Sequence, residues 1–148
     1  GAVSVTSAST LDTSAAVSGD SVTIQAAGTT TIGAAVSSDN GAVQLTNTAS
    51  TVTINADVTS SGGAVTVTFN GGNLTLGDDV DISSTGGALG FVSSGSYTIA
   101  ASSGGTIIST DNNVSIPKAL AVSRKAAGTA STWAASRNWY RISLSFVD

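Results

Sequence analysis

The chain has no cysteine, methionine or histidine, a single proline, and no glutamate among its nine acidic residues. Without cysteine there is no disulfide framework and no thiolate chemistry, and the redox compartment is not legible. Without histidine or cysteine, a Ser–His or Cys–His nucleophile and a histidine metal site are excluded. No P-loop or dinucleotide fingerprint occurs. No run of about 18 apolar residues is present, so no membrane insertion is expected. The missing initiator methionine points to a processed product, a removed secretory signal peptide being one route. Basic residues are confined: Lys118, Arg124, Lys125, Arg137 and Arg141 all fall in the last 31 positions. Residues 1–117 therefore carry −8 and residues 118–148 carry +4. Such asymmetry reports on interactions more than on fold. The net charge of −4 disfavours nucleic acid as a partner.

What is present is small, β-branched and hydroxylated. Of 148 residues, 41% are hydrophobic, mostly Val, Ile and Ala, and 25 Ser and 21 Thr make up nearly a third. Ser/Thr/Gly richness accompanies disorder when hydrophobicity is low and net charge high. Here only 9% of residues are charged and the mean hydropathy is +0.29, which argues for a folded all-β domain.

A short alternating apolar stretch returns six times. Four copies open on Gly-Ala and an apolar residue: Gly1-Ala2-Val3, Gly41-Ala42-Val43, Gly63-Ala64-Val65 and Gly87-Ala88-Leu89. Ser21-Val22-Thr23-Ile24 and Asn113-Val114-Ser115-Ile116 are weaker copies. The leading residues Val3, Val22, Val43, Val65, Leu89 and Val114 advance by 19, 21, 22, 24 and 25 residues. A period of this size signals a solenoid. Each full unit carries up to three apolar pairs, as in Val65/Val67/Phe69, Leu74/Leu76 and Val80/Ile82. Alternation over four to six residues marks a strand with one buried face. The expected fold is thus all-β: a parallel β-helix, a three-sided β-solenoid of about 5–6 coils of 19–26 residues, with a non-repeat C-terminal strand segment. Coils about 4.8 Å apart would make a rod on the order of 25 Å long. An antiparallel sandwich of some ten strands is the rival. Gly- and Asn-bearing corners such as Ser38-Asp39-Asn40-Gly41 and Asn70-Gly71-Gly72-Asn73 separate the strands, because these residues tolerate turn backbone.

Gly63–Gly86 (GAVTVTFNGGNLTLGDDVDISSTG) resembles the degenerate repeats of filamentous-haemagglutinin-like and autotransporter-type proteins of bacterial surfaces. The shared form is G-x-V-x-[VL]…[NT]-[VL]-T-[IL], and the resemblance covers about residues 1–110. It implies a right-handed parallel β-helix on the cell surface with an adhesive or structural role, and it brings no catalytic residues. Residues 118–148 have no counterpart in it.

Two domains are expected: residues 1–117 as solenoid, and residues 118–148 as a basic, aromatic cap or assembly segment. Residues 119–127 read either as a last strand or as a helical turn. Beyond Trp133 and Trp139 the chain alternates cleanly, with Tyr140, Ile142, Leu144 and Phe146 on one face and Arg141, Ser143, Ser145 and Val147 on the other. This strand either folds back over the last coil or joins a neighbouring molecule by strand addition. A solenoid presents open strand edges at its ends, and the repeat pattern is already under way at Val3 and Val5. The interface expected on this basis is Val3, Val5, Trp133, Arg137, Trp139, Tyr140, Arg141, Ile142, Leu144 and Phe146, with residues 1–7 of one molecule meeting residues 139–147 of another. The function read from the sequence is a secreted, non-enzymatic structural subunit of a cell-surface filament or sheath, homopolymeric and without cofactor. A fragment of a β-helical surface adhesin is the alternative, with surface glycans as further partners.

Two weaker signals remain. Asp78, Asp79 and Asp81 form the one tight carboxylate cluster, a Ca²⁺ or acid/base candidate by residue type, as in polysaccharide-cleaving β-helices of similar architecture. No base lies near it in sequence to stabilise developing charge, and a solvated corner is the plainer reading. Thr23, Thr53, Thr75 and Thr98 are expected at equivalent outward positions, with Thr51, Thr66 and Thr68 beside them. Regular Thr on a flat face resembles the device of ice-binding proteins, though strand surfaces are rich in Thr for its β-propensity alone.

Overall fold

The computed structural model describes residues 1–48, 51–70, 72–93, 97–101, 106–109, 114–115, 120–124, 131–136 and 139–144, with side chains through Ser93. The first coil is β1 (Ala2–Ser7), β2 (Leu11–Thr13) and β3 (Val17–Gly19). The second is β4 (Ser21–Ala26), β5 (Thr30–Ile32) and β6 (Val36–Ser38), and the third β7 (Val43–Asn47), β8 (Thr51–Ile54) and β9 (Val58–Ser60). The fourth is β10 (Val65–Phe69), β11 (Gly72–Leu76) and β12 (Asp81–Ser84), and the fifth β13 (Leu89–Ser93), β14 (Tyr97–Ala101) and β15 (Thr106–Ser109). β16 (Val114–Ser115) and β17 (Leu120–Arg124) follow, then β18 (Ser131–Ser136) and β19 (Trp139–Leu144).

The strands stack into three sheets. Sheet A runs β1-β4-β7-β10-β13-β16, and sheet B runs β2-β5-β8-β11-β14-β17. Sheet C runs β3-β6-β9-β12-β15-β19-β18. Among the described residues every pairing is parallel except those made by β19, so the chain is a three-sided parallel β-solenoid and not an antiparallel sandwich. Residues 120–124, open between strand and helical turn in the sequence, form a strand parallel to β14.

Register explains why these residues make these strands. Val3, Val22, Val43, Val65, Leu89 and Val114 form one column of sheet A, and Val5, Ile24, Leu45, Val67 and Phe91 the next. Sheet C contributes Val17, Val36, Val58 and Ile82, and sheet B contributes Ile32, Ile54 and Leu76. From the second coil through the fourth, and at Leu89 and Phe91 in the fifth, these columns are buried and form a single core. Each buried Val, Leu, Ile or Phe stabilises the coil by roughly 1.5–3 kcal/mol relative to an exposed position. The interior is filled unevenly along the stack: Ser7, Ala26, Asn47, Phe69 and Ser93 occupy one column, and in the next column Val67 gives way to Phe91 in the coil where Phe69 gives way to Ser93.

Candidate functional site

The two ends of the stack are built differently. At the leading end, the outer edges of β1, β2 and β3 meet no partner strand among the described residues. Val3, Val5 and Val17 are half-buried there, whereas their column mates Val22, Val43, Val36 and Val58 are fully covered. Beside this rim the Gly1 ammonium lies 2.8 Å from Asp20 Oδ2. Asn40 Nδ2 donates to Asp20 Oδ1 at 3.3 Å, and the Asp20 amide donates to the Gly1 carbonyl at 2.9 Å. The hydrogen bond from the ammonium, then the Asn40 amide and the ammonium's charge, hold the Asp20 carboxyl below the usual aspartate range. Asp20 is 57% exposed, so water and salt screen this pair.

At the trailing end the polarity changes. β19 lies antiparallel on β15, pairing Ile107 with Ile142 and Ser109 with Tyr140, and β18 lies antiparallel on β19, pairing Trp133 with Ile142. The expected interface residues Trp133, Trp139, Tyr140, Arg141, Ile142 and Leu144 thus gather on one hairpin at the edge of sheet C, while Val3 and Val5 sit on the opposite rim. Arg137 and Phe146 lie outside the described residues. Both edges of β19 are occupied within its own chain. In this conformation it offers no edge to residues 1–7 of another copy, because an interior strand has already spent its ladder groups. The hairpin also makes sheet C seven strands deep where sheets A and B are six.

The acidic corner does not gather into a binding centre. Asp78 and Asp79 are exposed, with Asp79 in the left-handed region at φ 55°, and the Asp81 amide donates to Asp57 Oδ1 at 2.9 Å. Among the described residues no three acidic side chains converge on a common point. The threonines need a correction as well. Thr53 and Thr75 share a column with Thr31 on sheet B, but Thr98 stands in the neighbouring column with Thr51 and Asn73. Thr23 belongs to sheet A, in line with Gln44 and Thr66. Thr98 is thus displaced by one column within sheet B, and Thr23 lies on another sheet altogether.

One feature escaped the sequence reading. Ser38, Ser60 and Ser84 are buried in register at the corner from sheet C to sheet A. Ser38 Oγ donates to Gly41 O at 2.5 Å, and Ser60 Oγ donates to the same carbonyl at 2.8 Å while accepting from the Gly63 amide at 3.0 Å. Ser84 repeats the pattern with Gly63 O at 2.8 Å and Gly87 O at 2.6 Å. The available signal was the placing of each serine three residues before a corner glycine and five before the leading apolar residue: Ser38-Gly41-Val43, Ser60-Gly63-Val65, Ser84-Gly87-Leu89. No family model, curated protein or solved structure matches the chain.

Proposed function

We propose that the chain is a non-catalytic structural subunit of a cell-surface or extracellular filament or sheath, which extends by continuing β-sheet from one molecule into the next. The observation that carries this reading is the leading rim. Three strand edges stand together there over the half-buried Val3, Val5 and Val17. Unpaired edges beside incompletely covered apolar side chains are a template for further strands. The acidic body and the basic, aromatic segment 118–148 favour a head-to-tail over a head-to-head contact. A heterologous contact that does not close into a ring propagates as a fibre. Trp, Tyr and Arg, concentrated in the tail, are the residue types that anchor interfaces.

A second reading draws on the same rim and on the resemblance of Gly63–Gly86 to surface-protein repeats: the coils form part of a larger adhesin stalk, and the rim is covered by further coils of that protein. Electron microscopy and sedimentation across a range of concentrations separate the two. The filament reading expects long particles whose fraction rises with concentration and disappears in Val3→Asp/Val5→Asp. A chain that remains monomeric at high concentration overturns it.

A further inference from the structure

The spacing of the tail is that of one more coil. From the start of a sheet C strand to the start of the next sheet A strand is eight residues from β12 to β13 and from β15 to β16, and it is again eight from β18 to β19. Along sheet C the column Val17, Val36, Val58, Ile82, Ile107 advances by 19, 22, 24 and 25 residues. The last step of the sheet A column, Leu89 to Val114, is also 25. One residue more, a step of 26, leads from Ile107 to Trp133 and from Val114 to Tyr140. Both columns therefore extend onto an aromatic residue of the tail at the same step. Yet the tail is laid down as a reversed hairpin, in which Ile107, Ile142 and Trp133 share a register line. Each layout carries the Ile107 column forward on apolar residues, and each forms two ladders from the same two strands. Two arrangements that satisfy one set of positions are the substrate of a conformational switch.

We propose that the β18–β19 segment is a two-state end piece: a fold-back hairpin that closes the stack, or a further parallel coil, with Ser131–Ser136 on β15 and Trp139–Leu144 on β16, that admits a second copy of this chain. The assembly role rests on the filament reading; the two states do not. Strand lengths decide which state assembles. In the hairpin state the deepest strand is β18 on sheet C, and its counterpart on a second copy is β3, only three residues long. In the coil state the deepest strand is β19 on sheet A, and its counterpart is β1; both have six residues. The coil state thus offers the longer ladder and brings residues 139–144 against residues 2–7 of the next molecule.

The absence of native cysteine makes the test direct. Ile108 and Arg141 are register partners in the hairpin, whereas in the coil state the 26-residue step places Arg141 beside Ser115. Adjacent strands lie about 4.8 Å apart, within the Cα separation a disulfide spans. Ile108→Cys/Arg141→Cys and Ser115→Cys/Arg141→Cys are each oxidised, separated by sedimentation and mapped by mass spectrometry, with the reduced form of the same variant as control. The expected result is that the first bridge forms in the soluble chain and abolishes particles until reduced, while the second is enriched in pelleted particles. The proposal is overturned if the first variant assembles equally well oxidised and reduced, or if the second bridge forms in neither fraction. If no variant, nor the unaltered chain, forms particles, the filament reading fails. The two-state end piece is then judged on the soluble chain alone: the Ser115–Arg141 bridge there supports it, and its absence overturns it.

Discussion

Ser84 Oγ lies 2.8 Å from the carbonyl oxygen of Gly63, a residue 21 positions away in sequence and one coil back in the stack. A single buried hydroxyl thereby ties two corners together. The Gly87 amide donates to Ser84 Oγ at 3.2 Å, so the hydroxyl satisfies groups in its own turn as well. Ser84→Ala leaves buried corner groups without this partner and should cost about 1–3 kcal/mol. Ser83→Ala, on the outer face one residue away, should stay within about 0.5 kcal/mol. Urea unfolding of the two variants checks the contrast.

Stacked corners also set which glycines are replaceable. A Cβ on Gly63 would lie 2.5 Å from the Gly41 carbonyl carbon and 2.6 Å from the Ala42 amide nitrogen, both backbone atoms. Gly63→Ala should therefore destabilise by roughly 1–3 kcal/mol through overpacking. At Gly90, in mid-strand, the same Cβ meets nothing within 4 Å. Gly90→Ala should stabilise by about 0.5–1 kcal/mol, because it removes backbone freedom from the unfolded chain. Thermal unfolding of both variants measures the two signs together.

Asn47 is a buried polar residue whose column neighbours are Ala26 and Phe69. Its Nδ2 donates to Gly28 O and Thr30 Oγ1, each at 2.6 Å, while its Oδ1 is buried without a partner. Asn47→Val alone should cost about 1–3 kcal/mol, since it strands the Thr30 hydroxyl and the Gly28 carbonyl. Adding Thr30→Val should recover part of that loss, because a partnered polar pair is then replaced by packed apolar groups. A double-mutant cycle in urea reads the coupling, and strictly additive losses would refute it.

The Asp20 carboxyl is held below the ordinary aspartate value of 3.8 by the Gly1 ammonium and Asn40. A native-state value below the unfolded one stabilises the folded state above the unfolded pKa, and the contribution disappears as pH falls through the native value. The stability difference between the chain and Asp20→Asn should hold level from pH 6 to about pH 5 and shrink progressively as pH falls through 3.8 and below. It should also shrink in high salt, because the pair is exposed. Unfolding curves from pH 6 down to about pH 2, at low and high ionic strength, test both trends.

Much of this architecture was legible because its signal is periodic. The columns through Val43, Val65 and Leu89 are written as alternation at a slowly growing step, and one-sided burial demands just that pattern. The threonine columns were misread because outward positions carry no hydrophobic signal, so Thr98 could be aligned with Thr75 instead of Asn73. Ser38, Ser60 and Ser84 were hidden by composition: in a chain with 25 serines, these three buried ones are marked only by their distance from a glycine. The direction of β19 was not legible at all. Alternation has period two whether a strand runs parallel or antiparallel, so Tyr140, Ile142 and Leu144 read identically in a hairpin and in a coil.

The leading rim gives the last prediction, because one column offers the same residue in two settings. Val43 is fully buried and Val3 half-buried, with identical side chains and equivalent register through Val22. Val43→Ala should cost roughly 2 kcal/mol at any protein concentration, from lost burial and the cavity left behind. In dilute solution Val3→Ala should cost clearly less, since water already reaches that side chain. If a second copy covers the rim, the cost at Val3 should climb toward that at Val43 as concentration rises, because association stabilises the folded state by mass action. Paired unfolding curves at low and high protein concentration decide it. A cost at Val3 that stays constant across the range would mean that nothing made of this chain settles on the rim.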